Sequence, residues 1–296
     1  LDESAEIAKQ WMAQGKRVLV SFDDAYHLIG PENAAFPFWG RGEVEINTAG
    51  NKWKRKLPKH PVDQFIDNLK HISGGITPGR VLADDYRPYA PMVHLPNYLE
   101  THRYRNLHEV KGIKPTIGWG GSLSHLTSFS HSGAQEALRQ LLQHNDWQFG
   151  LVGDKRLIDQ LRLPEGKLWF RNYVMLFDWP QVLTSFDIGL APLAMPYDQR
   201  RSRLKVMEYI AMGIPFVATR SAVYEDFFDC KSGIFVDQGA LTVCDKPNID
   251  GWNNALQKII DNYQDYIAIA LHEKERYYEV YDSIHNANII ADKIRG

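Results

Sequence analysis

Glu208 sits in an apolar run, Leu204 to Met212, three residues after Lys205 and just behind an arginine-rich loop that holds Arg200, Arg201 and Arg203. A carboxylate in such a place suits the vicinal hydroxyls of a ribose, which it can grip through two hydrogen bonds. The spacing predicts a helix that begins near Ser202, with Ser202 as N-cap. A helix N-terminus beside Arg203 and Lys205 is a ready anion site. The plain alternative is a solvated Lys–Glu pair at i, i+3. Val206, Met207, Tyr209, Ile210 and Ala211 argue against it, because they make the helix largely buried and a buried Glu needs a partner.

Three further places could do chemistry. Ile117-Gly-Trp-Gly-Gly-Ser122 follows a strand-like run, and Gly120 and Gly121 let backbone N–H groups, with Ser122, approach a phosphate or sugar oxygen closely. The alternative is an ordinary strand–helix turn; the stretch is not GxGxxG and lacks a Walker lysine. Gly153-Asp154 follows another strand; Asp154 could hold a base or ribose edge, or could simply cap a helix. Asp23 and Asp24 follow the first strand. Paired acids there suit substrate hydroxyls, a general base or a metal, and a loop cap is the competing reading.

These residues need elements to position them. Arg17–Phe22 reads as a buried strand after a helix from Ala5 to Gln14. Residues 27–60 read as irregular, with a basic run Lys52-Trp-Lys-Arg-Lys56 inside. That run could meet a membrane surface or an anionic acceptor, or be merely solvated. A helix over Val62–Ile72, another over Arg80–Tyr86 and a strand over Met92–Leu95 follow. Residues 97–114 read as a linker. Beyond it, strands are expected at Pro115–Trp119, Trp147–Val152, Lys167–Phe170, Asp187–Leu190, Pro215–Ala218 and Gly233–Val236, with helices between, including Ser132–Gln143. This alternation predicts a parallel sheet covered on both faces. The tail from Trp252 to Ile294 reads as helical.

Bulk properties narrow the classes. The chain has 296 residues and a formal net charge of −2, which gives no global pull toward nucleic acid. Its two cysteines, Cys230 and Cys244, form no CxxC pair and fit a reducing compartment. None of the eleven histidines falls in HExxH or another metal-ligand spacing. No apolar run nears the ~20 residues of a membrane span, and no signal peptide is visible. A cytoplasmic protein is expected, with peripheral membrane contact left open. The start at Leu1 rather than Met fits a fragment.

The stretch from Asp187 to Phe227 resembles the C-terminal domain of GT-B glycosyltransferases, especially family 4-like enzymes. The phrases that carry the likeness are Ile188-Gly-Leu-Ala-Pro-Leu and Leu204-Lys-Val-Met-Glu-Tyr-Ile-Ala-Met-Gly-Ile-Pro-Phe-Val-Ala218. Tyr224-Glu225, Lys231-Ser-Gly-Ile-Phe-Val236 and His94-Leu-Pro-Asn97 extend it. The resemblance implies an α/β, GT-B-like fold of two Rossmann-like domains, the N-terminal one short or incomplete. Residues 1–96 would be the partial acceptor-side domain, 97–114 the linker, and 115–296 the nucleotide-sugar domain with its helical tail. It implies a glycosyltransferase of hexosyl type in polysaccharide synthesis, retaining and metal-independent. Its partners would be a nucleoside-diphosphate sugar and a glycan or lipid-linked acceptor, with no separate cofactor. Glu208 would hold the ribose. Gly120, Gly121, Ser122 and Asp154 would line the donor, Lys205 and Arg203 would neutralise the diphosphate, and Asp23 and Asp24 would serve catalysis. The sequence departs from the family at three points. Arg200 stands where a first glutamate is usual, residues 122–132 hold no Arg or Lys, and Asp23 or Asp24 replaces a histidine. A nucleotide-sugar-binding chain without turnover, or a GT-B-fold epimerase, are the alternatives.

Overall fold

The computed structural model describes residues 2–31, 33–48, 51–238 and 246–295, and counts below are of those residues. The chain divides into two units. The first contains Leu1–Asn97, Gln199–Ser202 and Asp292–Gly296; the second contains Tyr98–Asp198 and Arg203–Ala291.

The first unit runs α1 (Asp2–Ala13), β1 (Leu19–Ser21), α2 (Phe36–Trp39), β2 (Glu43–Thr48), β3 (Asn51–Lys56), α3 (Pro61–Leu69), β4 (Gly74–Thr77), α4 (Arg80–Tyr86) and β5 (Met92–His94). Strands β1, β4 and β5 form a small parallel sheet in the order β1-β4-β5. Strands of three or four residues bury little by themselves, so aromatic rings supply the core. Phe22 meets Phe65 and Tyr86 edge-on at 5.1 and 5.0 Å, and Tyr26 stacks on Trp39 at 3.9 Å. Residues 27–60 correct the sequence expectation of an irregular stretch. They hold α2 and an antiparallel ribbon, β2 with β3, in register Glu43↔Lys56 through Thr48↔Asn51. The ribbon escaped notice because β3, with its lysines and arginine, is exposed along its whole length and shows no apolar alternation.

The second unit runs β6 (Thr116–Gly121), α5 (Leu126–His131), α6 (Ala134–His144), β7 (Gln148–Gly153), α7 (Leu157–Leu161), β8 (Leu168–Asn172), α8 (Trp179–Leu183), β9 (Ile188–Ala191), α9 (Leu204–Met212), β10 (Phe216–Thr219), β11 (Gly233–Val236), α10 (Ile249–Asp261) and α11 (Tyr263–Tyr281). The last described helix is α12 (Ala287–Arg295). All six strands are parallel, in the order β11-β10-β9-β6-β7-β8. This is an α/β architecture with a doubly wound parallel sheet. One core cluster joins Ile117, Trp119 and Leu190 of the sheet to Leu138, Leu142 and Trp252 of the helices. The polar stretch after Asn97 runs along this unit: Leu99 and Tyr104 are buried, and the Thr101 hydroxyl donates to Asp282 at 2.8 Å.

Several expected boundaries move for identifiable reasons. Helix α6 starts at Ala134 rather than Ser132, because Gly133 turns the chain with φ +93°. Helix α9 takes Arg203, not Ser202, as its N-cap, and no side chain caps it. Gly120 and Gly121 lie within β6 rather than in a turn after it. Cys230 is a buried free thiol; Cys244 lies outside the described residues.

Candidate functional site

The chain threads the second sheet from β6 outward through β7 and β8, returns to β9 on the other side of β6, and continues to β10 and β11. Between β6 and β9 the winding reverses. In an open parallel sheet the crevice at the carboxyl ends of the strands flanking such a reversal is where ligands bind. Gly120, Gly121 and Ser122 stand at that end of β6, and α9 follows β9 with Lys205 and Glu208.

Helix α9 is fixed on the sheet by its apolar side. The Tyr209 ring lies over Gly189, where a Cβ would come within 2.6 Å of it, and the Tyr209 hydroxyl donates to the Leu190 carbonyl at 2.9 Å. Gly213, with φ +71°, ends the helix, and its N–H bonds back to the last turn. The loop before α9 is equally held. Buried Asp198 accepts from the Ala194 and Met195 N–H groups at 2.9 and 3.1 Å, and Leu193 and Thr219 exchange two hydrogen bonds.

Glu208 faces a polar nest. The Tyr104 hydroxyl donates to its carboxylate at 3.4 Å, and the Trp179 indole lies close enough to stabilise the charged form. Burial pushes the Glu208 carboxyl above its ordinary range, and Trp179, Lys205 and Tyr104 pull it partly back. Its surface remains partly open to water, while the atoms crowded around the carboxylate strip most of its hydration. The Tyr104 phenol is in turn driven up, first by burial and then by Glu208. Lys205 donates to the Gly120 carbonyl, with its ammonium 5.9 Å from the centre of the Trp119 ring. One cation and one carboxylate are therefore held a turn apart beside the end of β6.

The two glycines have a packing reason for being glycine. A Cβ on Gly120 would come within 2.5 Å of the Trp179 ring, and one on Gly121 within 2.5 Å of Trp119. Trp179 thus lies on Gly120 and also beside Glu208, so one indole neighbours both the strand end and the carboxylate. Beyond β6, the Ser122 hydroxyl bonds Ser124 at 2.7 Å and His125 Nδ1 at 3.1 Å.

Other expected residues are engaged elsewhere. Asp154 is gripped by Arg156, whose Nε lies 2.9 and 3.1 Å from its two oxygens, and by the Arg156 N–H at 2.9 Å. These bonds hold the Asp154 carboxyl down at about 2. Arg203 pairs with Asp226, and its guanidinium sits 4.9 Å from the Tyr281 ring centre. A wide groove of about 740 Å³ on this unit is lined by Leu126, Ser130, Glu136, Arg139, Asp159 and Arg162 among others, and none of the residues at the reversal lines it.

In the first unit Asp23 and Asp24 follow β1. Desolvation, and then the Asp24 charge, hold the Asp23 carboxyl above its usual range. Nearby, Asp85 is gripped by Arg200, whose Nε and Nη2 lie 2.6 and 3.1 Å from its two oxygens, and lies 3.3 Å from His27 Nε2. The other ring nitrogen of His27 bonds the Tyr86 hydroxyl at 3.0 Å. Both nitrogens of His27 are thus in use, and Arg200 is bound to a carboxylate of its own unit.

A sequence model of the family described as Glycosyl transferases group 1 matches residues 114–262, half of the chain. The chain belongs to that family. Its fold is similar to those of solved GT-B enzymes. S. aureus TarM, as a mutant in complex with Fondaparinux, alpha-GlcNAc-glycerol and UDP, is 15% identical over 86% of this chain and 48% of its own, with TM-score 0.57. Anabaena HepE in complex with UDP-glucose is 14% identical over 100% and 77%, with TM-score 0.63. Sucrose-phosphate synthase from Thermosynechococcus elongatus is 12% identical over 97% and 70%, with TM-score 0.62. The chain spans about half the length of TarM. At these identities the likeness is one of fold. No curated protein matches the chain in sequence.

Sequence reasoning did not find Tyr104, Trp179 or Arg156. Tyr104 lay in the stretch read as a linker, and nothing in a sequence says that a tyrosine about a hundred positions away will meet Glu208. Trp179 carried a usable sign: Asp178-Trp-Pro180 opens a helix with Pro at its second position.

Proposed function

We propose that this chain moves a sugar from a nucleoside-diphosphate sugar to a glycan or lipid-linked acceptor, with retention and without a metal ion. The observation that carries the reading is the convergence of Gly120, Gly121, Ser122, Lys205 and Glu208 at the reversal between β6 and β9. Glu208 would accept from the ribose hydroxyls. Lys205 would turn from the Gly120 carbonyl to the diphosphate and stabilise the charge that develops as it leaves. Ser122 and the N–H groups at the end of β6 would hold phosphate or sugar oxygens. Asp154 and Arg203 enter only as neighbours, because each already has a charged partner. Asp23 and Asp24 would meet acceptor hydroxyls, and the raised Asp23 carboxyl suits a group that exchanges a proton. UDP is the favoured nucleotide, since the TarM and HepE complexes hold UDP or UDP-glucose.

Titration calorimetry of the chain with UDP, GDP and ADP tests the reading. One of them should bind, and Glu208→Ala and Lys205→Ala should each weaken it by about 10- to 100-fold, the range of a lost charge-assisted hydrogen bond. Absence of binding to all three, or binding indifferent to both substitutions, would sink it. A second reading, nucleotide-sugar binding without turnover, draws on Arg200, which stands at the family's first glutamate and is tied to Asp85. Sugar transfer or donor hydrolysis by the purified chain rules that reading out.

A further inference from the structure

The β2–β3 ribbon is the part of the first unit that the reading above leaves without a task. Between Arg41 and His60 lie six cations, Arg41, Lys52, Lys54, Arg55, Lys56 and Lys59, against two acids, Glu43 and Glu45. That is a formal +4 within twenty residues of a chain whose total is −2. The ribbon is a two-stranded sheet of its own, so β3 has one partner and one open edge. Every residue of β3 is exposed, including Trp53 at 49%. Lys52 pairs with Glu45 at 3.1 Å, while Lys54, Arg55 and Lys56 make no salt bridge among the described residues.

Alternation along the strand sets what can bind. Lys52, Lys54 and Lys56 project to one face at intervals of roughly 6.8 Å, and Trp53 and Arg55 to the other. A flat bilayer reaches only one face at a time. It would meet the lysines without the aromatic anchor, or the tryptophan without the lysines. A linear polymer lying along the open edge meets both rows, together with the outward N–H groups of the edge. The two acids sit on β2 directly opposite two of the lysines, Glu43 against Lys56 and Glu45 against Lys54, so the lysine face is partly balanced while Trp53 and Arg55 on the other face stand opposite Ile46 and Val44. The exposed indole offers a flat apolar face to a sugar ring, with a cation on either side of it in sequence. Lysines on an edge strand also serve to prevent strand-to-strand aggregation. One or two charges suffice for that, whereas four cations stand here in five positions.

We propose that the open edge of β3 is a docking strip for a linear anionic glycan, the polymer that accepts the sugar; this rests on the transferase reading above. The test is binding of alginate oligosaccharides, a carboxylated linear glycan, measured by calorimetry at low and high salt without any nucleotide. The intact chain should bind them, and affinity should fall as salt rises. Lys54→Glu with Lys56→Glu should cut affinity at least about 10-fold, and because it sets like charges opposite Glu45 and Glu43, Lys54→Gln with Lys56→Gln, which avoids that repulsion, should lower affinity in the same direction. Trp53→Ala should weaken binding while leaving the salt dependence unchanged. UDP binding should be the same in all variants, so loss of the strip is distinguishable from loss of the donor site. The proposal fails if charge reversal leaves alginate binding intact or if neutral dextran binds equally well. It also fails if phosphatidylglycerol vesicles or a single-stranded oligonucleotide bind more tightly than alginate at the same salt.

Discussion

The two strand ends that carry candidate chemistry are built on opposite principles. At the end of β6 the polar groups are few and rest on a continuous six-stranded core, with Trp179, Tyr209 and Trp119 lying over glycines of the sheet. At the end of β1 the sheet has three short strands, and position is fixed by stacked aromatics and by the Arg200–Asp85–His27–Tyr86 chain. Rings packed on glycines position the first; stacked rings together with an ion pair and hydrogen bonds position the second. The first should therefore respond to changes of volume and to the charge of one carboxylate, and the second to the charge of a histidine.

The largest expected effect concerns Glu208 itself. Its carboxyl is raised above the ordinary value, so the folded state favours the protonated form. A carboxyl with that shift contributes stability that is fully present below its unfolded value, near 4.3, and lost as pH rises through its folded value. If Glu208 is kept for nucleotide binding rather than for the fold, its charged form at neutral pH should cost stability. Glu208→Gln should raise the thermal midpoint at pH 7–8, by about 2–4 °C if the relief is ~1 kcal/mol, while nucleotide affinity falls about 10- to 100-fold. Calorimetric melts across pH 4–8 with nucleotide titration check both arms. A variant that loses stability at pH 8 would show that the carboxylate is structural rather than tolerated.

Volume at the same strand end comes next. Gly120→Ala places a methyl against the Trp179 ring, and overpacking of this kind costs about 1–3 kcal/mol. Because the Trp179 indole also stabilises the charged form of Glu208, the substitution should reduce nucleotide affinity as well as the melting midpoint. Gly166→Ala has open space around its Cβ and a φ of +70°, so it reports backbone strain without overpacking and should leave nucleotide affinity unchanged. If Gly120→Ala melts early yet binds nucleotide normally, the indole is not the link between strand and carboxylate.

The pH arm belongs to the first unit. Burial lowers the His27 pKa below its ordinary value, with Arg200 adding to the effect and Asp85 opposing it. A histidine so depressed contributes stability that is present above its unfolded value, about 6.5, and lost as pH falls through the folded one. The first unit should loosen as pH drops below that value. Arg200→Ala should cost about 1–3 kcal/mol at neutral pH by leaving Asp85 short of a partner, and should shrink the acid loss, because without the arginine the His27 pKa returns toward its ordinary value. Hydrogen exchange of α4 and of residues 26–28 between pH 5 and 8 reads both. A profile flat in pH would mean that the aromatic core alone holds this end.

How much of this was legible follows the same division. The second sheet's strands announced themselves because most of each is apolar and helices of clear period flank them, as in Gln148–Gly153 followed by Leu157–Leu161. Glu208 could be singled out because a carboxylate among Val206, Met207 and Ile210 is anomalous in any helix. Its partners could not, since Tyr104 and Trp179 approach it from distant segments. The ribbon was hidden because Lys52, Lys54 and Lys56 give β3 no apolar face. The glycines were visible, but not their meaning. Nothing local says that Gly120 makes room for an indole, nor that Arg200 spends its charge on Asp85.

The smallest expected effect tests whether nearness to the reversal is enough to make a residue functional. Asp154 follows β7, one strand over from Gly121, yet its two oxygens are occupied by Arg156. Asp154→Asn keeps the shape and one acceptor, so the Arg156 N–H bond survives while the ion pair is lost. Arg156 is mostly exposed, and pairs of that kind contribute little. Nucleotide affinity should therefore change by less than about 3-fold, within the range of a lost exposed ion pair. The acid side gives a second readout. The depressed Asp154 carboxyl stabilises the fold above its unfolded value, and that share disappears as pH falls toward about 2. Wild type and Asp154→Asn should converge there. A 10-fold loss of nucleotide binding in Asp154→Asn would mean that ligand displaces Arg156, and would move Asp154 from the margin of the site into it.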